Sequence, residues 1–212
     1  MYYEHVLPKP YANKYSKFMR EIQVLHYYDI LGEPKRVLDI GCGWGAFLEF
    51  LPKKVEAFGL DNNETFIKYA AKKGLNVKLG DAKKLQFKDG VFDAVCSDCV
   101  IEHLDNRYEI IKEWSRVLKK GGKMMLVFPD IRRRKWEFFN DYTHRQPVHP
   151  RAIIEILKDN GFDINIVSRE WVTPRGLGRI LYYLNNKRLI NWVNGLTGKI
   201  FSYKSLIVAT KV

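Results

Sequence analysis

The sequence predicts a doubly wound α/β domain, a mostly parallel seven-stranded sheet with helices on both faces. Three observations carry this expectation. Short apolar runs alternate with segments of helical period along most of the chain. A glycine cluster, Gly41-Cys42-Gly43-Trp44-Gly45, lies between the first of those runs and the next helical pattern. The chain is 212 residues long with 46% apolar and 28% charged residues, enough for one domain with a sizeable core and too apolar for a disordered one.

The elements follow in order. Residues 11–31 place Tyr15, Phe18, Met19, Ile22 and Leu25 at three- and four-residue spacings, an amphipathic helix. Arg36 to Ile40 reads as the first strand. Phe47, Leu48 and Leu51 give a helical pattern behind the glycines, ended by Pro52. Val55 to Leu60 is a strand, Glu64 to Lys73 a helix closed by Gly74, and Leu75 to Leu79 a strand. Phe92 to Ser97 is a strand bounded by Asp89-Gly90, and Tyr108 to Leu118 a helix. Gly121-Gly122 marks a turn before the strand Lys123 to Phe128. Pro150 suits the first position of a helix that Gly161 stops, and Ile164 to Val167 and Ser205 to Thr210 complete the strands.

In such sheets ligands sit beyond the carboxyl ends of the strands. Residues 39–45, 60–62, 80–82, 97–104 and 129–149 are therefore where chemistry is expected. Gly41, Gly43, Gly45 and Ala46 fit a dinucleotide fingerprint, G-x-G-x-x-G/A, and Asp61 lies twenty residues after Gly41. Asp39, two residues ahead of the first glycine, argues against a pyrophosphate and for a ligand carrying an ammonium group.

Gly80-Asp81-Ala82 follows the third strand and Phe92-Asp93-Ala94-Val95 opens the fourth. Glu102-His103-Leu104 follows the fourth, and Val117-Leu118-Lys119-Lys120-Gly121-Gly122 leads into the fifth. Together with Val37-Leu38-Asp39-Ile40-Gly41-Cys42-Gly43-Trp44-Gly45, this series resembles a class I S-adenosylmethionine-dependent methyltransferase of the broad small-molecule type, with a Rossmann-like fold. The resemblance covers about residues 35–130. It implies S-adenosylmethionine as cofactor, with Asp39 on the methionine ammonium beside the backbone of Gly41 and Gly43. It implies Asp61 on the ribose hydroxyls, Asn62 near the adenine, Asp81 on the adenine amino group, the Ala82 amide on the ring, and Ser97 or Asp98 at the methionine end.

Methyl transfer is an in-line displacement from an activated leaving group, so the protein mainly positions the reactants; a hydroxyl acceptor must also lose a proton. His103 is the first candidate for that task, with Glu102 beside it. His144 is the second, in Asn140-Asp141-Tyr142-Thr143-His144, a stretch similar to the Asp-Pro-Thr-His loop of some methyltransferases of cell-surface glycan synthesis, with Tyr142 in place of the proline. His149 is expected at a helix start, and His5 and His26 as structural residues. The three cysteines, Cys42, Cys96 and Cys99, suit a reducing compartment, and with no second pair they make neither a zinc site nor, in this context, a redox motif; no metal ligand set is expected.

We divide the chain into an N-terminal helical cap, 1–34, and a methyltransferase domain, 35–212, with a substrate loop at 131–150 and a basic amphipathic insertion at 171–203. The net charge of +12 is uneven: residues 131–212 hold 15 bases and six acids, net +9, whereas residues 37–130 are nearly neutral. Arg132-Arg133-Arg134-Lys135 with Trp136, Phe138 and Phe139 suggests an aromatic wall beside an anion-attracting rim. The expected reaction is therefore methylation, oxygen favoured, of a small and anionic acceptor, with a lipid- or glycan-linked one in view. The alternatives are a tRNA or rRNA methyltransferase, disfavoured because Ser97-Asp98-Cys99-Val100 is not the Asn/Asp-Pro-Pro-Tyr of adenine-amino methylases, and a non-enzymatic module binding the adenosyl ligand. No membrane span and no leader is read, so a cytoplasmic protein is expected; the insertion suggests a lid, a homodimer face or peripheral membrane contact.

Overall fold

The computed structural model describes residues 14–170, 183–184 and 186–212. Its sheet has seven strands: β1 (Arg36–Ile40), β2 (Glu56–Asp61), β3 (Val77–Leu79), β4 (Phe92–Asp98), β5 (Leu118–Pro129), β6 (Phe162–Arg169) and β7 (Lys204–Lys211). Their order is β3-β2-β1-β4-β5-β7-β6. The first five run parallel, and β7 lies antiparallel between β5 and β6. The strand order reverses direction between β1 and β4, which leaves a crevice at their carboxyl ends.

The central strands are apolar on both sides because both sides are covered. Alternate residues sort cleanly. Leu38, Ile40, Val95, Met124, Leu126, Phe128, Ile207 and Ala209 face one core with α3 (Arg107–Val117) and α5 (Pro150–Asp159), whose Ile111, Trp114, Ile153 and Leu157 are fully buried. Val37, Ala94, Cys96, Met125, Val127, Leu206 and Val208 face the other, where α1 (Lys14–Ile30) contributes Val24, Tyr27 and Tyr28. The N-terminal helix is thus one of the covering layers. α2 (Glu64–Lys72) starts at Asn63, whose side chain accepts from the Thr65 and Phe66 amides. A single turn, α4 (Ile131–Arg134), follows β5, and α6 (Lys187–Phe201) rests on α1 through Ile22 and Ile190.

Several expected boundaries shift. The helical pattern at Phe47–Leu51 forms only a 3-10 turn, Leu48–Phe50, because Pro52 follows at once and the chain has just come through left-handed turns at Gly41, Gly43 and Gly45. Gly121-Gly122 does not separate helix from strand. β5 runs from Leu118 through a register shift opposite Phe92/Ala94, with Gly121 at φ 75°. β3 is shorter than expected, and β6 is longer, with its own irregularity at Ile164/Ile166. Of the insertion at 171–203, residues 171–182 lie outside the described residues, as do 1–13 of the cap. No helix among the described residues is long and apolar enough to cross a membrane.

Candidate active site

The ends of β1 and β4, the glycine turn and one side of α1 enclose a cavity of about 170 Å³. Asp39, Gly41, Gly43, Trp44, Ser97 and Asp98 line it, together with Arg20 and Tyr27 from α1. Gly41 and Gly43 have φ of +75° and +52°, and nothing stands within 4 Å of where a Cβ on Gly43 would lie, so the turn leaves an open backbone cradle. Ser97 is buried with no hydrogen-bond partner for its hydroxyl, and Trp44 is in the same position with its indole N–H. Polar atoms left unsatisfied beside a cradle fit a ligand with a polar end.

The walls are acidic. Burial pushes the Asp39 carboxyl up to about 7, against the pull of Arg20 and with a further push from Asp98 and Asp61. Asp61 closes β2 and is oriented by backbone: its Oδ2 accepts from the Gly43 amide at 2.8 Å and its Oδ1 from the Asn63 amide at 2.9 Å. Burial raises it as well, outweighing those amides. Each oxygen keeps a lone pair for a second donor. At Asp98, burial is overcome by Lys204, 3.0 Å away, and by Arg20, so its carboxyl is held below the usual range. Lys204 also reaches Glu170 at 3.5 Å, and Gln23 and Tyr27 donate to that carboxylate at 3.2 and 3.4 Å.

The other adenosine-side residues stand outside the cavity's lining. Asn62 is exposed beside Asp61. Asp81 is exposed after β3, its Oδ1 accepting from the Lys83 amide at 2.9 Å in a turn. Ala82 is held from below, since Trp114 Nε1 donates to its carbonyl at 2.8 Å. Arg116 on the same helix bonds the Leu85 and Phe87 carbonyls, so α3 fixes the whole 80–89 turn.

A second group lies just past β4. Cys99 takes a left-handed φ of 58° and turns the chain into the 3-10 segment Ile101–His103. Glu102 is fully buried and neither of its oxygens meets a donor with hydrogen-bond geometry; burial raises its carboxyl to about 7, against the pull of its own nearby backbone amide and of Lys204. The His103 and His144 rings lie 4.9 Å apart, centre to centre, and Phe138 packs on His144 at 4.3 Å. His144 Nδ1 donates to the Phe138 carbonyl at 2.6 Å. His103 Nδ1 meets the Thr143 carbonyl at 3.2 Å and the Thr143 hydroxyl at 3.0 Å, and that hydroxyl donates to Asp141 at 2.6 Å. The His103 ring must therefore donate from Nδ1, which leaves the Nε2 lone pair available when the ring is neutral, while His144 Nε2 lies 3.8 Å from Asp141 Oδ2. Burial lowers His103 below the usual imidazole range, with the Thr143 carbonyl opposing.

The structure brings His103 and His144 together and gathers Asp39, Gly41, Gly43 and Ser97 in the cavity's lining, with Asp61 behind it on the Gly43 amide. It corrects the aromatic wall: Phe138 is a core residue, while Trp136 and Phe139 are exposed. Half of the basic run is also spent locally, Arg132 on Asp130 and Arg134 on Glu137 and the Tyr203 ring. His149 caps α5, accepting from the Arg151 amide at 3.2 Å. Sequence reasoning missed Arg20, Tyr27 and the Glu170–Lys204 pair, which no motif marks.

A reversing parallel sheet, a glycine turn after β1 and an acid at the end of β2 define a Rossmann-like domain with a cleft suited to a cationic ligand. A methyltransferase domain model matches residues 38–126. A solved S-adenosylmethionine-dependent methyltransferase from Archaeoglobus fulgidus superposes with a TM-score of 0.71, at 26% identity, over 92% of this chain and 95% of that one. An uncharacterized protein of Methanocaldococcus jannaschii is 29% identical over 167 residues, 72% of this chain and 78% of that protein. A fatty-acid O-methyltransferase of Mycolicibacterium smegmatis is 33% identical over 156 residues, 68% of this chain and 55% of that one. Beyond the archaeal relative, the chain spans between 20% and 55% of the length of the curated relatives it matches. Their names carry acceptors as different as a tRNA, a sterol and a fatty acid. The chain belongs to the class I S-adenosylmethionine-dependent methyltransferases, and S-adenosylmethionine is its methyl donor.

Proposed function

We propose that this chain methylates an oxygen of a small, anionic acceptor, seated between the donor cleft and the 131–150 loop. The observation that carries this reading is the pairing of the His103 and His144 rings, 4.9 Å apart with their Nδ1 protons engaged, which leaves proton-accepting capacity at Nε2 of His103 and sets His144 beside the Asp141 carboxylate. An acceptor hydroxyl loses its proton there. Exposed Arg133, Lys135 and Arg145 on the same loop supply attraction for an anion.

On the donor side, Asp39 holds the methionine ammonium, with the backbone of Gly41 and Gly43 beside it and Ser97 at the carboxylate end. Asp61 receives the ribose hydroxyls; Asn62, Asp81 and the Ala82 amide meet the adenine. The bound donor supplies a sulfonium-activated methyl group, and the protein's part is to align the acceptor oxygen behind it and to exclude water. A fatty-acid relative whose name specifies oxygen supports the choice of atom.

Tritiated-methyl transfer tests the reading with hydroxyl- and carboxyl-bearing acceptors, sugar phosphates and fatty acids among them. The expected result is transfer to an oxygen, with His103→Ala lowering kcat about 100-fold or more at unchanged donor affinity. Asp61→Ala should weaken donor binding by calorimetry at least tenfold. Label appearing only in nitrogen, carbon or RNA would overturn the acceptor, and unchanged affinity in Asp61→Ala would overturn the ribose placement.

A further inference from the structure

We propose that Glu102, His103 and His144 form a binding site for one divalent transition-metal ion. One ligand atom from each lies within 4.8 Å of the others. Metal–nitrogen and metal–oxygen bonds of about 2.1 Å place tetrahedral ligands about 3.4 Å apart, so small side-chain rotations close the set. Two imidazoles and one carboxylate suit zinc, cobalt, nickel or iron rather than magnesium or calcium. Three protein ligands leave a coordination position open, the arrangement of sites that take a substrate rather than merely brace a fold.

Glu102 points to a cation independently. Its side chain is fully buried, and neither oxygen has a hydrogen-bond partner. An ionised carboxylate so placed is costly unless it is paired or coordinated. Lys204, the cation whose charge acts on it, is engaged by Asp98 and Glu170, and Arg107 spends its guanidinium on the Ile101, Gln146 and Pro147 carbonyls. The histidines are already in the form that ligates. Each donates Nδ1–H to a backbone carbonyl, and Asp141 is shared by both, through the Thr143 hydroxyl to His103 and at 3.8 Å from His144 Nε2, a carboxylate placed as the second layer that orients metal-bound imidazoles.

The scaffold is fastened too. The Arg145 amide donates to the Glu102 carbonyl at 2.9 Å, and Arg107 clamps the 146–147 backbone to the 101–103 turn. The ligands come from segments about forty residues apart, so their spacing in the chain gives no metal motif, and none was expected. The site rests on the reading of this cluster as the place where the acceptor is activated, with one change. With an ion bound the imidazole lone pairs ligate it, and the acceptor hydroxyl would lose its proton through the pKa-lowering of the ion rather than to a histidine; the binding itself is tested without that reading.

The test uses the full chain, stripped with chelator and titrated with Co2+, followed by Zn2+ competition. The expected result is one Co2+ per chain with the visible bands of nitrogen and oxygen ligation, displaced by Zn2+. Glu102→Gln and His144→Ala should each weaken binding at least tenfold, and His149→Ala should leave it unchanged. Zn2+ should also shield His103 and His144, and not His149, from diethylpyrocarbonate in the wild-type chain, a readout that needs no variant to fold. Failure to bind at millimolar Co2+, thiolate charge-transfer bands, undiminished binding in His103→Ala/His144→Ala, or no selective shielding would each overturn the site. Methyl transfer is not read here, so a wrong acceptor in the tritium screen leaves this result intact.

Discussion

Asp39 sits where a charge is expensive, and replacing it separates stability from cofactor binding. Its carboxyl is 6% exposed and titrates at about 7 instead of 3.8, with burial as the largest cause. In the unfolded chain the proton leaves near pH 4; in the native state it stays until about 7. The native state thus binds more protons across that window, and its stability falls as pH rises through it. At 1.36 kcal/mol per pH unit the full cost above pH 7 is about 4 kcal/mol, of which about 1.6 kcal/mol is already present at pH 5. Asp39→Asn keeps the shape and removes the titration. Its advantage over the parent should grow by about 2–3 kcal/mol between pH 5 and pH 8 in urea unfolding followed by circular dichroism. The same variant should lose the thermal stabilisation that S-adenosylmethionine gives the parent, because a neutral amide offers no counter-charge to an ammonium. A difference between the two proteins that does not vary with pH would refute the argument, because only a titrating Asp39 makes it vary.

Two further sets of substitutions probe the frame of the cleft. A Cβ on Gly41 would stand 2.1 Å from Val100 Cγ2 at φ +75°, whereas one on Gly43 meets nothing at φ +52°. Gly43→Ala should therefore cost only about 1 kcal/mol of conformational strain while reducing donor affinity, and Gly41→Ala should cost roughly 3 kcal/mol or more by overpacking; equal losses in denaturant melts would sink the distinction. Lys204→Met leaves Asp98 and Glu170 without their shared cation, and a loss of about 3 kcal/mol or more is expected by calorimetric melting. Adding Glu170→Gln should recover part of it, and no recovery would show that the network is not what the lysine supports.

The sheet was legible because its strands are buried on both sides and so carry mostly apolar runs, Met124–Phe128 without a break and Val37–Ile40 broken only by Asp39. The glycine turn was legible because Gly41, Gly43 and Gly45 all adopt positive φ, a demand that selects residue type strongly. The short turn at Leu48–Phe50 was not, since three apolar residues at helical spacing suit the core equally well without a full helix. At the site, the sequence marked His103 and His144 one at a time. Their meeting depends on Arg107 and Arg145 tying two segments together by backbone carbonyls, and bonds to carbonyls leave no trace in residue pattern. Arg20 is harder still. It is one basic residue on a helix whose apolar face alone is periodic, and only the helix's seating against β1 and β4 carries it to the cavity.

The basic excess also changes meaning once its members are placed. Five of the cations in residues 131–212 have local work: Arg132 on Asp130, Arg134 on Glu137, Lys158 on Glu155, Lys204 between two buried acids, and Lys211 on the Ser115 and Leu118 carbonyls. A charge engaged with a neighbouring acid adds little field at a distance, so the +9 of that segment overstates what an approaching anion meets. The donor cleft contributes the opposite sign through Asp61 and, once ionised, Asp39, whereas Asp98 is spent on Lys204. Exposed Arg133, Lys135 and Arg145 stand on the loop that carries His144, while Arg188 and Lys199 are exposed on α6. The polarity is therefore local, acidic around the donor cleft and basic along the 131–150 loop. That division matches a cationic methyl donor facing an anionic acceptor better than it matches a continuous track for a nucleic acid backbone.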